Sequence, residues 1–242
     1  YIDPSQVKLE GNYQAGKKEG QWLTYFPEGE LSVREFYVGG LREGPYFEFD
    51  PEGNVMAEAT AVKGQFEGVY KTFSLPNVVY QSGTYKNGEK IGEWKSFFPG
   101  TKIPESEEYY DASGNRIGEW SYYYETGRLA RKERYENSVA VGVWEEYFPN
   151  KEISKRKTYV LGVPEGDYVE NHSSGKLSVQ GQYEGGAKVG VWKNFYPDGQ
   201  LYALGEYKND LKTGLWKYFN KIGLLVAEGE YLLGMENGQW VY

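Results

Sequence analysis

Gly186-Ala187-Lys188-Val189-Gly190-Val191-Trp192-Lys193-Asn194-Phe195-Tyr196-Pro197-Asp198-Gly199-Gln200-Leu201 is the stretch whose pattern decides the fold. It contains Gly-x-aromatic at 190–192, a second aromatic three residues on at Phe195, a Pro-x-Gly turn, and then an aliphatic residue. The same unit recurs along the whole chain, and a fixed period must be read before anything else. Aligned on Gly-x-aromatic, the anchor aromatics are Trp22, Tyr46, Tyr70, Trp94, Trp120, Trp144, Tyr168, Trp192, Trp216 and Trp240. Eight of the nine spacings between anchor glycines are 24 residues, and one, from Gly92 to Gly118, is 26. All seven tryptophans of the 242-residue chain fall in this one slot.

Around the anchor, each position asks for a particular backbone. The second aromatic is Tyr25, Phe49, Phe73, Phe97, Tyr123, Tyr147, Phe195 and Phe219, with Asn171 as the exception. Turns such as Pro27-Glu28-Gly29, Pro51-Glu52-Gly53 and Pro197-Asp198-Gly199 follow it. There proline presets φ and glycine takes the left-handed position. Next comes alternation of period two: Leu31-x-Val33-x-Glu35-x-Tyr37, Leu177-x-Val179-x-Gly181-x-Tyr183, Leu201-x-Ala203-x-Gly205-x-Tyr207, Leu225-x-Ala227-x-Gly229-x-Tyr231. Such alternation is a strand with one face buried. Its small central residues leave room for a large neighbour, the anchor ring. A second turn, with Gly16, Gly88, Gly186 or Gly234, leads into the next anchor. Each repeat is therefore a β-hairpin. Val7-x-Leu9-x-Gly11-x-Tyr13 is a return strand in register, and Tyr1 lies one period before Tyr25. The two-residue insertion near Pro104–Gly114 reads as a bulge or longer loop, so residues 1–242 are expected to form a single repeat domain.

The run Tyr13-Gln14-Ala15-Gly16-Lys17-Lys18-Glu19-Gly20-Gln21-Trp22-Leu23-Thr24-Tyr25 resembles the MORN repeat, in the variant form common in bacterial proteins. The resemblance covers essentially the whole chain. It implies an all-β fold, an elongated antiparallel repeat sheet of about ten successive hairpins in a single layer or a curled trough. It also implies a non-catalytic scaffold for protein interactions, with phospholipid binding proposed for some members and an antitoxin label carried by some bacterial ones.

Composition sets outer limits. With 27 basic and 35 acidic residues the net charge is −8, which argues against nucleic acid and against a membrane held by general electrostatics. There is no cysteine, hence no disulfide and no thiolate metal site. No apolar run reaches transmembrane length. Because the chain starts at Tyr1 rather than Met, an exported or lipoprotein-anchored form with a trimmed signal is one expectation, and a cytoplasmic protein the other.

Candidate sites fall into four groups. The anchor ladder reads as core before it reads as a platform. Aromatics of opposite parity, Phe26, Phe98, Tyr124, Phe148, Tyr196 and Tyr202, are expected on the other sheet face, where they either simply cover the sheet or line a groove for carbohydrate or a cell-wall polymer. Four residues before the anchor stand Lys18, Arg42, Lys90, Arg116, Lys188 and Lys212, which read first as solvated turn residues and otherwise as a basic rim for lipid headgroups or an acidic partner, diluted by Glu19, Glu43 and Glu89. His172, the only histidine, has no recognisable catalytic companion, and Glu107-Glu108 and Glu145-Glu146 are adjacent, which sends their side chains to opposite faces. No cofactor, metal site or catalytic residue is expected. The partner is an unidentified protein, with self-association through terminal strand edges as a further expectation.

Overall fold

The computed structural model describes residues 8–242, so the expectations for Tyr1 and Val7 lie outside it. Among the described residues every element is a strand, and each paired strand runs antiparallel to its chain neighbour. Contacts gather the chain into two compact units. One runs to Ile117 with Glu125–Gly127, and the other comprises Gly118–Tyr124 and Arg128–Tyr242. In the first, hairpins succeed one another from Leu9–Gln14 to Pro104–Tyr110. In the second they run from Gly118–Tyr123 to Met235–Val241.

One repeat shows how sequence makes the hairpin. The return strand Leu9–Gln14 pairs with the anchor strand Lys17–Tyr25 across Ala15-Gly16. Both turn residues have positive φ, 50° and 75°, which is the type I′ geometry whose twist matches the strands. The same two-residue turn recurs at Gly39-Gly40, Lys63-Gly64, Asn87-Gly88, Asn137-Ser138, Leu161-Gly162, Gly185-Gly186, Asn209-Asp210 and Leu233-Gly234. At the other end, Phe26 donates its N–H to Glu30 O and accepts from Gly29 N–H, with Gly29 at φ 106°. That is a type I turn closed by a left-handed glycine, as the Pro-x-Gly pattern predicts.

The anchor glycines do something the pattern did not announce. All ten have positive φ, between 61° and 100°, six of them inside a strand and Gly44, Gly68, Gly118 and Gly142 at the first residue of one. Toward the preceding strand the register jumps there, from Gly11↔Trp22 to Asn12↔Glu19. Toward the following strand it stays regular, Gly20↔Tyr37 to Thr24↔Val33. The glycine thus builds a one-sided bulge, a conformation that side-chain-bearing residues resist.

Adjacent repeats are also tied at their tight turns. Gly40, Gly64, Gly162, Gly186 and Gly234 donate N–H to Lys18, Arg42, Ala140, Pro164 and Lys212 O, at 2.8–3.0 Å. Glu19, Glu43, Glu67 and Glu165 accept the N–H of the first turn residue of the next repeat at 2.7–2.8 Å. The 26-residue repeat spends its two extra residues separately. One widens the turn closed by Phe98 N–H to Ile103 O, and one widens the Asp111–Asn115 loop that replaces a type I′ turn.

Candidate functional site

The anchor rings form a row in each unit. Trp22, Trp94, Trp120, Trp192 and Trp216 are buried, and Trp144 is half-buried. A Cβ on Gly11, Gly83, Gly181, Gly205 or Gly229 would stand 2.1–2.2 Å from the indole of Trp22, Trp94, Trp192, Trp216 or Trp240. These five glycines are not turn formers. They are bare backbone on which an indole lies flat, as the alternating pattern implies. In each of these repeats the tyrosine two residues on meets the indole edge-to-face at 4.9–5.3 Å. Where Tyr is replaced by Ala61, its directly opposed partner Phe66 supplies the ring, 5.3 Å from Tyr46 and 5.8 Å from Tyr70.

Five of the six bases turn inward over these rings rather than standing clear of them. Lys18, Lys90, Lys188 and Lys212 place their ammonium groups 4.2–4.4 Å from the centroids of Trp22, Trp94, Trp192 and Trp216. Arg42 lies 5.4 Å from Tyr46 and bonds Glu35 at 2.6 Å. Arg116 pairs through its backbone with Tyr110. Each lysine caps an indole with its stem packed and its charge on the ring face. Lys212→Met, which keeps the stem, should cost about 1 kcal/mol in denaturant titrations. Exposed Lys208→Met should change stability by less than about 0.5 kcal/mol.

The opposite-parity aromatics sit at the wide turns. Tyr124 and Tyr196 donate their hydroxyls to Tyr147 O at 2.6 Å and Phe219 O at 3.0 Å. His172, at the equivalent position, bonds Phe195 O at 2.9 Å and so pins one turn to the next. Phe26, Phe98 and Phe148 open the equivalent turns through backbone bonds. Tyr202 falls in a bulge between Leu201 and Ala203, and its ring lies 5.1 Å from Tyr196 and 6.2 Å from Tyr218. Tyr218 in turn neighbours Trp216 at 6.2 Å, so this group joins the indole row through the bulge. Among the described residues no group of three His, Asp or Glu could hold a metal ion, and no helix is long and apolar enough to cross a membrane.

Three segments match the family model described as MORN repeat variant, residues 42–62, 116–137 and 188–209. Each begins at the base four residues before an anchor aromatic and ends at the last residue of the following return strand or one residue beyond it. These three segments are MORN repeats of the variant form. MORN repeats are in general protein- and lipid-interaction repeats, and the family is non-catalytic. No curated protein sequence matches the chain. Among solved structures, it is similar to part of the TcdB2–TccC3–Cdc42 complex, with 11% identity, 92% of this chain and 14% of that chain covered, and a TM-score of 0.18. It is also similar to part of a Photorhabdus luminescens Tc holotoxin pore, with 14% identity, 93% and 15% covered, and a TM-score of 0.18. This chain spans about one seventh of those chains, and likenesses at that level carry no argument.

Two departures from the MORN pattern stand out in the second unit. At the first position of the type I′ turn the other repeats use Ala15, Gly39, Lys63, Asn87, Asn137, Gly185 and Asn209, but the large apolar Leu161 and Leu233 stand there at φ 48° and 52°. Both are open to solvent, 82% and 69% exposed. Exposed Val160, Val163, Leu232 and Met235 flank them. Aligning the turn columns would have found them, because leucine is the wrong residue for a left-handed position. The second departure is Lys157, which occupies the column of the bare glycines. It is paired across the strands with both Trp144 and Tyr168.

Proposed function

We propose that the chain is a non-catalytic MORN-repeat scaffold that docks a protein partner through the tight-turn edge of its second unit. The observation that carries this reading is the pair Leu161 and Leu233. A bulky residue in the left-handed region costs about 1–2 kcal/mol, which Asn largely escapes. Their side chains recover none of that by burial, since both face solvent. A conformational cost at an exposed apolar site is the pattern expected of a contact surface. Neutral aliphatics also suit a protein surface better than anionic headgroups, given a chain of net charge −8.

Leu161→Asn with Leu233→Asn should therefore separate stability from function. The double variant should be more stable by about 2–4 kcal/mol, the sum over two separate sites. In quantitative affinity purification from the source cells, it should lose a partner that the wild-type chain retains in stoichiometric amount. Identical partner sets would sink the reading, and so would wild-type binding to zwitterionic vesicles with no protein retained. The exposed Tyr202, in ring contact with Tyr196, supports a second reading, carbohydrate binding on that pair, which a glycan array of Tyr202→Ala against wild type would test.

A further inference from the structure

In five repeats a bare glycine lies under the indole, and in five a base caps the anchor ring. Around Trp144 and Tyr168 both devices fail. Ala140 and Pro164 stand where the capping bases should be, and Glu133 and Lys157 stand where glycines would be. With Glu133 in the slot, Trp144 keeps its 5.3 Å ring contact with Tyr135 on the preceding strand but stands closer to the next tyrosine. It lies 4.5 Å from Tyr159, whereas Trp22, Trp192 and Trp216 keep 5.8–6.2 Å from theirs. A cavity of about 290 Å³ results, bounded by Trp144, Tyr159, Tyr168, Tyr183, Glu133 and Lys157.

Of the charged groups that line this cavity, Lys157 is the one without a hydrogen-bonded or ionic partner among the described residues. The Lys157 ammonium lies 4.8 Å from the Tyr183 centroid and 5.3 Å from that of Tyr159, and makes no hydrogen bond or ion pair with any described residue. Burial, then the neighbouring charges of Lys155 and Lys188, push its pKa below the usual lysine value. The carboxylates of the wall are already engaged. Glu133 meets Arg131 at 3.0 Å and takes the Tyr135 hydroxyl at 2.8 Å. Glu145 meets Arg156 at 2.8 Å and Glu146 meets Lys155 at 3.7 Å.

We propose that this cavity binds an acidic sugar, with its carboxylate on the Lys157 ammonium and its ring against the Trp144 and tyrosine walls. The volume suits one ring and a carboxylate, near the low end for ligand pockets. The unpaired ammonium supplies a charge-assisted bond that a neutral sugar would leave unmade. The engaged carboxylates and tyrosine hydroxyls offer acceptors and donors to ring hydroxyls, which an acidic peptide side chain does not carry.

The test is a titration of the full, lysine-labelled chain with sodium glucuronate, read by NMR at the Lys157 side chain, with exposed Lys208 as control. A saturable shift confined to Lys157 is expected. Lys157→Gln and Ala140→Lys, which refills the cap, should each weaken binding about tenfold or more, read at the tyrosine resonances. Glucose should bind at least about tenfold more weakly than glucuronate. No saturable shift with glucuronate would overturn the proposal, as would equal responses to glucose, which would remove the role of the charge. An equal response to N-acetylglutamate would overturn the assignment to a sugar.

Discussion

Trp94→Ala should lower stability by about 3–5 kcal/mol, the cost of emptying a site filled by a large aromatic. Trp94 is about as buried as any side chain in the protein, 1% exposed. Its ring meets Tyr85 at 4.9 Å and Tyr70 at 5.8 Å, the Lys90 ammonium lies 4.2 Å above it, and its Nε1–H donates to Thr84 O at 3.2 Å. Beneath it Gly83 has no side chain with which to close the gap. Truncation also leaves the Lys90 ammonium without its ring and the Thr84 carbonyl without that donor, so the cavity term is joined by polar losses. A fall of roughly 10 °C in the melting midpoint follows for a domain of this size. Trp144→Ala is the internal comparison. Trp144 has the same Nε1–H bond, to Arg134 O at 3.2 Å, but it is only half-buried, lacks the lysine cap, and already borders a cavity. It should cost about half as much. Equal losses in chemical denaturation would show that the motif position, not burial, sets the cost, and would remove the physical basis of the ladder.

The difference between those two tryptophans also marks how far the sequence could be read. The period, the anchor row and the clearance of glycine beneath the ring were legible, because each repeats in one column and each follows from a rule of period two. The bases were legible as a column but not as caps. Whether a lysine points outward or folds back depends on the reach of its stem over a ring on its own strand, and spacing along the chain does not carry that. Tyr202 was assigned by parity, and parity fails where a bulge inserts a residue, here between Leu201 and Ala203. The anchor glycines were read as motif letters, but their positive φ ahead of the anchor ring has no signature of period two, so the one-sided bulge had to be seen. Leu161, Leu233 and Lys157 are visible in the sequence only as exceptions within columns whose physical requirement is already understood.

Gly205→Val turns that requirement into a sign. Glycine in a strand interior is ordinarily a weakness, costing about 0.5–1 kcal/mol against alanine. By propensity alone valine at 205 should stabilise the return strand, since β-branched side chains suit a pleated sheet. Packing gives the opposite answer. A Cβ at 205 would stand 2.2 Å from Trp216 Cδ2 and 2.4 Å from Cγ, with the rest of the indole plane directly above. Trp216 cannot move away freely, because Tyr207 and Tyr231 hold it at 5.2 and 6.0 Å and Lys212 caps it at 4.3 Å. The substitution should therefore destabilise by about 3 kcal/mol, the upper range for overpacking. Trp216→Ala alone should cost a similar amount for the opposite reason, a void. The double variant decides whether the two losses share one cause. If the valine side chain occupies part of the space the indole vacates, the pair should cost about 1–3 kcal/mol less than the sum of the singles, a coupling of the size found between residues in contact. Additive losses in equilibrium denaturation would mean that Gly205 is required for its backbone and not for the ring above it. That outcome would be hard to reconcile with its extended conformation, since Gly205 has no positive φ. The contrast with Glu133 beneath Trp144 adds a last constraint, because there a side chain does occupy the slot and the indole has moved to 4.5 Å from Tyr159. Gly205→Glu should then be tolerated better than Gly205→Val if a long side chain can leave the slot sideways, and no better if the clash at Cβ governs.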